Sequence, residues 1–150
     1  MSVSRWHFRA WLPDGRMEKV ADIRLMDDVP YVFTEHEDGH IGEAGTECVL
    51  MQSTGLVDSE GVEIFEGDIL RCVYDERHTD VVVFEHGKFT GQLFELHREL
   101  GTSRKWKVIG NRYQNRALAQ ELESWALSTD SKSQTASAGT KPNCENPQQA

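Results

Sequence analysis

Two groups of side chains in this sequence are of types that could do chemistry. Glu66 and Asp68 flank Gly67, and paired carboxylates hold Mg²⁺ for phosphodiester hydrolysis when a third acidic group converges on them. Here the pair shares one short segment without a lysine, and the nearest histidine in sequence, His78, stands in no motif. A metal-dependent hydrolase built on Glu66 and Asp68 therefore ranks last among the functions this chain suggests. The second group is Glu35-His36-Glu37-Asp38-Gly39-His40. Its two histidines have the spacing that puts zinc ligands on one helix face, but Asp38-Gly39 breaks a helix and no apolar register surrounds them, so the segment reads as a solvated acidic loop. No G-x-S-x-G elbow, phosphate-binding glycine loop or C-x-x-C pair occurs. The expectation is a protein that is not an enzyme and takes no cofactor and no metal.

Charge carries more information. Between Leu25 and Leu70 there is no lysine or arginine, while twelve aspartates and glutamates occur there. Residues 76–150 hold ten basic and nine acidic groups, within a chain of net charge −9. Such an acidic front repels nucleic-acid phosphate and attracts basic protein surfaces, although acidity also serves solubility alone. One basic cluster, Arg98, Arg104, Lys105 and Lys107 beside Trp106, suggests an alternative, direct nucleic-acid binding through residues 98–116. The acidic background weighs against it, and nucleic acid is not an expected partner.

The apolar pattern must position these groups. Arg5 to Trp11 alternates, Pro13-Asp14-Gly15 supplies a turn, and Lys19 to Leu25 returns as a second strand. Tyr31 to Phe33 and Cys48 to Met51 read as further strands, and Thr54 to Gly61 as a turn-rich connection. Val62 to Ile64, Ile69 to Tyr74 and Asp80 to Glu85 follow, then His86-Gly87-Lys88 turns into Phe89 to Leu96, and Trp106 to Ile109 is the last strand. Asn115 can cap a helix from about Arg116 to Leu127, with Leu118, Leu122 and Trp125 as its apolar stripe. The expected fold class is mainly β (α+β): an antiparallel rolled sheet or SH3-like barrel element, the barrel from strands at 62–96, with one C-terminal helix. The expected organisation is one β domain over residues 1–127 and a disordered polar tail over 128–150, which lacks leucine, isoleucine, valine and aromatic residues. Cys48, Cys72 and Cys144 are odd in number and widely spaced, so no disulfide framework is expected, and Cys48 and Cys72 read as small buried hydrophobes. The N-terminal residues lack the apolar core of a secretory signal, and no stretch is apolar enough to span a membrane, which points to the cytoplasm of whatever cell makes the protein.

Three blocks in order resemble one family. Phe8-Arg9-Ala10-Trp11 with Met17 after a turn is similar to the opening of YopX-like proteins. Leu50-Met51-Gln52-Ser53-Thr54-Gly55-Leu56-Val57-Asp58, continuing through Gly61, Ile64, Phe65 and Glu66-Gly67-Asp68-Ile69, resembles the central MQ-x-TGL-x-D…EGDI core of that family. Val108-Ile109-Gly110-Asn111-Arg112-Tyr113-Gln114-Asn115 resembles its VIGN-x-[YF]-x-N segment, so the likeness covers about residues 8–127. Arg116 departs from the usual proline before the helix. The resemblance implies a small phage or prophage accessory protein with an SH3-like barrel element, forming homo-oligomers, with no reaction and no catalytic residues to carry over.

The central block has a structural and a functional account. Structurally, Gly55, Gly61 and Gly67 serve turns, Asp58 makes an Asx-turn, Ile64, Phe65 and Ile69 fill a core, and Glu66-Gly67-Asp68 is a strand corner. Functionally, Gln52, Thr54, Asp58, Glu63, Glu66 and Asp68, with Glu35, Glu37 and Asp38 of the acidic insert, form a partner-binding surface. On that account Glu66→Ala and Asp68→Ala spare folding and abolish binding. The expected function is non-enzymatic protein–protein interaction, with a host or phage protein of basic surface as partner, sharpened to DNA-mimic-like inhibition of a host nucleic-acid-binding or defence protein.

Overall fold

The structure, a computed structural model, describes residues 6–35, 39, 41–91 and 105–133. Its strands are β1 (Phe8–Trp11), β2 (Met17–Met26), β3 (Val29–Thr34), β4 (Ile41–Glu43), β5 (Val49–Val57), β6 (Glu63–Phe65), β7 (Asp68–Cys72), β8 (Thr79–Glu85), β9 (Lys88–Gly91) and β10 (Trp106–Asn111), and its helix is α1 (Arg116–Ser133). The described residues are thus mainly strand with one helix near the C-terminus, the mainly β class that the sequence indicates.

The chain divides into two compact units, residues 1–56 with 63–66, and residues 57–62 with 67–150. In the first, six strands pair in the order β4-β3-β2-β1-β5-β6. The Pro13-Asp14-Gly15 turn forms as read, with Gly15 at φ 86°. β1 pairs antiparallel with β2 on one side (Arg9 opposite Lys19) and with β5 on the other (Phe8 opposite Gln52, Ala10 opposite Leu50). Alternation then decides burial: Ala10 and Leu12 face a core with Val32 and Cys48, and Val20, Ala44 and Leu50 pack against it. Burial pushes the Cys48 thiol pKa up, with the Glu47 charge adding to the shift. At the far end of the β2–β3 hairpin, Asp27 and Asp28 both adopt positive φ, and Leu25 beside them is 72% exposed.

In the second unit four strands pair in the order β10-β7-β8-β9. Ile69 and Val81 stand opposite each other and meet Ala119 of α1, with Ile109, Leu118 and Leu122 packed around them. The helix therefore lids the sheet as the apolar stripe implies, except that Trp125 is exposed. It lies seven residues beyond Leu118, roughly 10 Å further along the axis, and is 48% exposed. α1 runs to Ser133 instead of ending near Leu127. Cys72 is buried as expected but disulfide-bonded, against the expectation of free thiols; Cys48 is free.

Three more differences concern strand limits. Thr54 to Val57, taken as connection, extends β5, because Gly55 at φ 77° bends the strand without ending it. β4 lies in the acidic insert, where no alternation marks it, and is made by pairing with Tyr31 to Phe33. The strands of 62–96 divide between sheets, β6 joining the first and β7 to β9 the second. Residues 92–96 of the last expected hairpin strand, and the tail from 134, lie outside the described residues.

Candidate functional site

The central block separates into side chains that hold the backbone and side chains that face a groove. In the second unit Asp58 opens the 58–62 turn. Its Oδ1 accepts the N–H of Glu60 and of Val62, each at 2.8 Å, and its Oδ2 accepts the N–H of Val108 at 3.0 Å. The Asx-turn read from the sequence is therefore present, but Asp58 also ties the turn to β10. It is only 2% exposed. Asp68 is 1% exposed, and its Oδ1 accepts the side-chain amide of Asn111 at 3.2 Å. Asn111 in turn accepts the N–H of Tyr113 at 3.0 Å and donates its own N–H to Asn115 Oδ1 at 3.0 Å. Asn115 does precede α1 as expected, with Ala119 N–H donating to its carbonyl, yet its side chain reaches back to Asn111 and not into the first turn. Gly110 must stay small, since a Cβ there would meet Asn115 Oδ1 at 2.5 Å.

Asp58 and Asp68 are thus removed from the expected partner-binding surface, because neither reaches solvent. A buried carboxylate must be satisfied by donors, and here those donors are largely backbone and amide groups of the fold itself. Gly67, at φ 83°, donates its N–H to Val82 and accepts from Arg112, so the corner between Glu66 and Asp68 is held on both sides.

In the first unit the remaining residues lie on β5 and β6. Thr54 Oγ1 donates to the Ile64 carbonyl at 2.9 Å and accepts the Leu56 N–H at 3.2 Å, which pins β6 beside β5. Gln52 is half-buried and offers its carbonyl to Glu66 N–H at 2.9 Å. Glu66 is half-buried as well. Glu63 is different. Its Oε1 accepts the hydroxyl of Ser53 at 2.5 Å and lies 3.2 Å from His7 Nδ1. These three side chains do not present a nucleophile to a substrate, since Ser53 is fully buried even though its hydroxyl donates to the Glu63 carboxylate.

Glu63 lines a groove of about 350 Å³ on the first unit, with Trp6, Phe8 and Phe65 as its aromatic surface and His7, Lys19 and Glu35 as its other charged or titratable groups. Of the expected surface residues, Glu35 and Glu63 meet here, while Glu37 and Asp38 lie outside the described residues, as do His36 and His40. The Arg9 guanidinium sits over the Phe65 ring, 4.5 Å from its centroid. Sequence reasoning missed Trp6, His7, Lys19, Ser53 and Phe65 as site residues. The alternation Trp6, Phe8, Ala10 was visible, but only pairing with β5 and β6 puts His7 and Ser53 beside Glu63.

Of the basic segment considered for nucleic acid, residues 98–104 lie outside the described residues. Lys107 pairs with Glu60 at 2.7 Å, which raises its pKa mainly through that hydrogen bond, and Arg112 lies 3.7 Å from Glu123. Elsewhere in the second unit, Arg77 hydrogen bonds hold the Asp75 carboxyl down to about 2. Among the described residues no three or more histidine, cysteine, aspartate or glutamate side chains converge as a metal site, and no helix is long and apolar enough to cross a membrane.

Comparison with known proteins gives a relative of known structure and a family. No curated protein matches the chain. Protein EF1440 from Enterococcus faecalis, solved by crystallography, superposes with a TM-score of 0.53 at 26% identity, covering 75% of this chain and 96% of that one. The family model described as YopX protein matches residues 7–120, a span that contains β1, the Asp58 turn, the Asp68–Asn111 contact and the start of α1. The three motif blocks, the residues that hold the second unit together and this match all coincide, and the chain belongs to the YopX family.

Proposed function

We propose that this YopX-family chain is a non-enzymatic accessory protein that acts by binding another protein, one that presents a basic surface. The observation that carries the proposal is the division of charge. The first unit contains twelve acidic and five basic residues, the second thirteen and eleven. A surface of that sign steers cationic protein faces toward it and keeps phosphate backbones away. In sharper form, the acidic unit stands in for nucleic-acid phosphate and occupies a host nucleic-acid-binding or defence protein. The proposal includes the phage or prophage setting and self-association that the family resemblance implies, and action in the bacterial cytoplasm.

Capture of host-lysate proteins on the full chain, repeated across ionic strength, tests this, with native mass spectrometry reporting self-association. A defined partner should be retained at low salt and lost steeply as the Debye length shrinks from roughly 10 Å at 0.1 M toward 3 Å at 1 M. Binding to duplex or single-stranded DNA at moderate ionic strength, or capture indifferent to salt, would overturn it.

A further inference from the structure

We infer that the groove lined by Trp6, Glu35 and Glu63 receives the guanidinium of an arginine side chain presented by a protein partner, an assignment that rests on the protein-binding proposal above. Glu63 is held in advance. The buried Ser53 hydroxyl donates to Oε1, His7 Nδ1 lies on the same oxygen, and Oε2 accepts no hydrogen bond among the described residues. A carboxylate fixed through one oxygen and open at the other makes a charge-assisted contact without first losing side-chain freedom. Glu35 brings a second carboxylate to the groove, and its backbone N–H is anchored on the Lys19 carbonyl at 3.0 Å.

Aromatic surface supplies the rest of the recognition. Trp6 is 76% exposed, and an indole face is the best aromatic receptor for a cation. The same unit already stacks two of its own guanidinium groups on rings, Arg9 on Phe65 and Arg24 on Phe33 at 4.8 Å. Arginine fits better than lysine because its planar, weakly hydrated fork can meet a carboxylate edge-on while lying flat on a ring. The volume suits one long side chain with its adjoining backbone. Lys19 sets a limit. Among the described lining residues the groove carries two carboxylates and one ammonium, so a single cation is favoured, a second one beside it is repelled, and the docking segment carries one arginine flanked by neutral or acidic residues.

The test titrates acetyl-Gly-Arg-Gly-amide into the full chain and follows the Trp6 indole N–H resonance, assigned by its loss in Trp6→Phe. The matched lysine and citrulline peptides are controls. The arginine peptide should bind with a Kd on the order of 1 mM, the lysine peptide several-fold more weakly, and the citrulline peptide should leave the resonance unmoved. Glu63→Gln keeps an acceptor for Ser53 but removes the charge, and should weaken binding about five- to tenfold. Glu35→Gln, on the surface, provides a second loss independent of folding. Equal binding of arginine and citrulline peptides, or unchanged affinity in both variants, would overturn the assignment. A salt-sensitive lysate partner still captured by Glu63→Gln and Glu35→Gln would overturn the groove and leave the protein-binding proposal standing. Arginine-peptide binding with no lysate partner at any salt would sustain the groove chemistry and sink that proposal.

Discussion

Asn111 donates its side-chain amide to Asp68 Oδ1 across 3.2 Å, joining the central block of the sequence to the segment that starts the helix. Both side chains are buried, so each depends on partners inside the fold. Removing one member deprives the other of a buried hydrogen bond, at a cost of roughly 1–3 kcal/mol. Asp68→Ala should therefore lower stability by about 2–4 kcal/mol, instead of sparing the fold as a docking residue would. In chemical denaturation, a midpoint shift in Asp68→Ala that disappears in the Asn111→Ala background measures the coupling; additive shifts would refute it.

Asp58 is the more demanding case, because one carboxylate accepts three backbone N–H groups. Asp58→Asn keeps one acceptor oxygen but turns an NH₂ toward backbone N–H, and should cost about 2 kcal/mol. Asp58→Ala strands all three donors and should cost about 3 kcal/mol or more. Thermal unfolding gives the order, and hydrogen exchange at Val108 should accelerate in both variants. Protection at Val108 unchanged in Asp58→Ala would show that Oδ2 does not hold β10.

How much of this could be read beforehand depends on whether the cause is local. The Pro13-Asp14-Gly15 turn, the Asp58 Asx-turn and the helix start at Asn115 come from short-range chemistry, and each lies where the residues indicate. β4 comes from pairing with Tyr31 to Phe33, and β5 continues through Gly55; neither has a local signature. The same distinction divides the site. Acidic residues were legible as charge, but charge does not say which carboxylates are buried. Asp58 and Asp68 are spent on backbone and amide donors from segments fifty and forty-three residues away. Glu63 became the groove carboxylate only because Ser53 and His7 come beside it from other strands.

The β2–β3 hairpin carries a strain that can be relieved. Asp27 and Asp28 adopt φ of 53° and 64°, the left-handed pair of a two-residue hairpin turn. Asn-Gly is the best dipeptide for that geometry, since the second position then has no Cβ to crowd the backbone. Asp27→Asn with Asp28→Gly should stabilise the chain by about 0.5–1 kcal/mol, because relief of a left-handed residue, about 1–2 kcal/mol, exceeds the freedom glycine returns to the unfolded chain; that is a rise in melting temperature of about 2–4 °C for each kcal/mol in a chain of this size. Arginine-peptide binding in the groove should not change, because neither residue lines it. A lower melting temperature would mean that the two aspartates hold the turn through contacts that glycine cannot replace.

The acid limb of the stability curve should report Asp75. Hydrogen bonds from Arg77 lower its pKa from 3.8 to about 2, so the folded chain holds the ionised form more tightly than the unfolded chain. A depressed carboxyl pKa contributes stability that is fully present above the unfolded value and is lost as pH falls through the folded one. The window for Asp75 therefore runs from just above 3.8 down to about 2. The pair is at the surface, where solvent and salt screen it, so the effect is small and best read as a difference. The melting temperature of the native chain should exceed that of Asp75→Asn at pH 5, and the gap should close between pH 4 and 2 and narrow in high salt. A gap that stays constant across that range would mean that Asp75 acts through its neutral hydrogen bonds to the 75–77 turn, and that its ionisation contributes nothing.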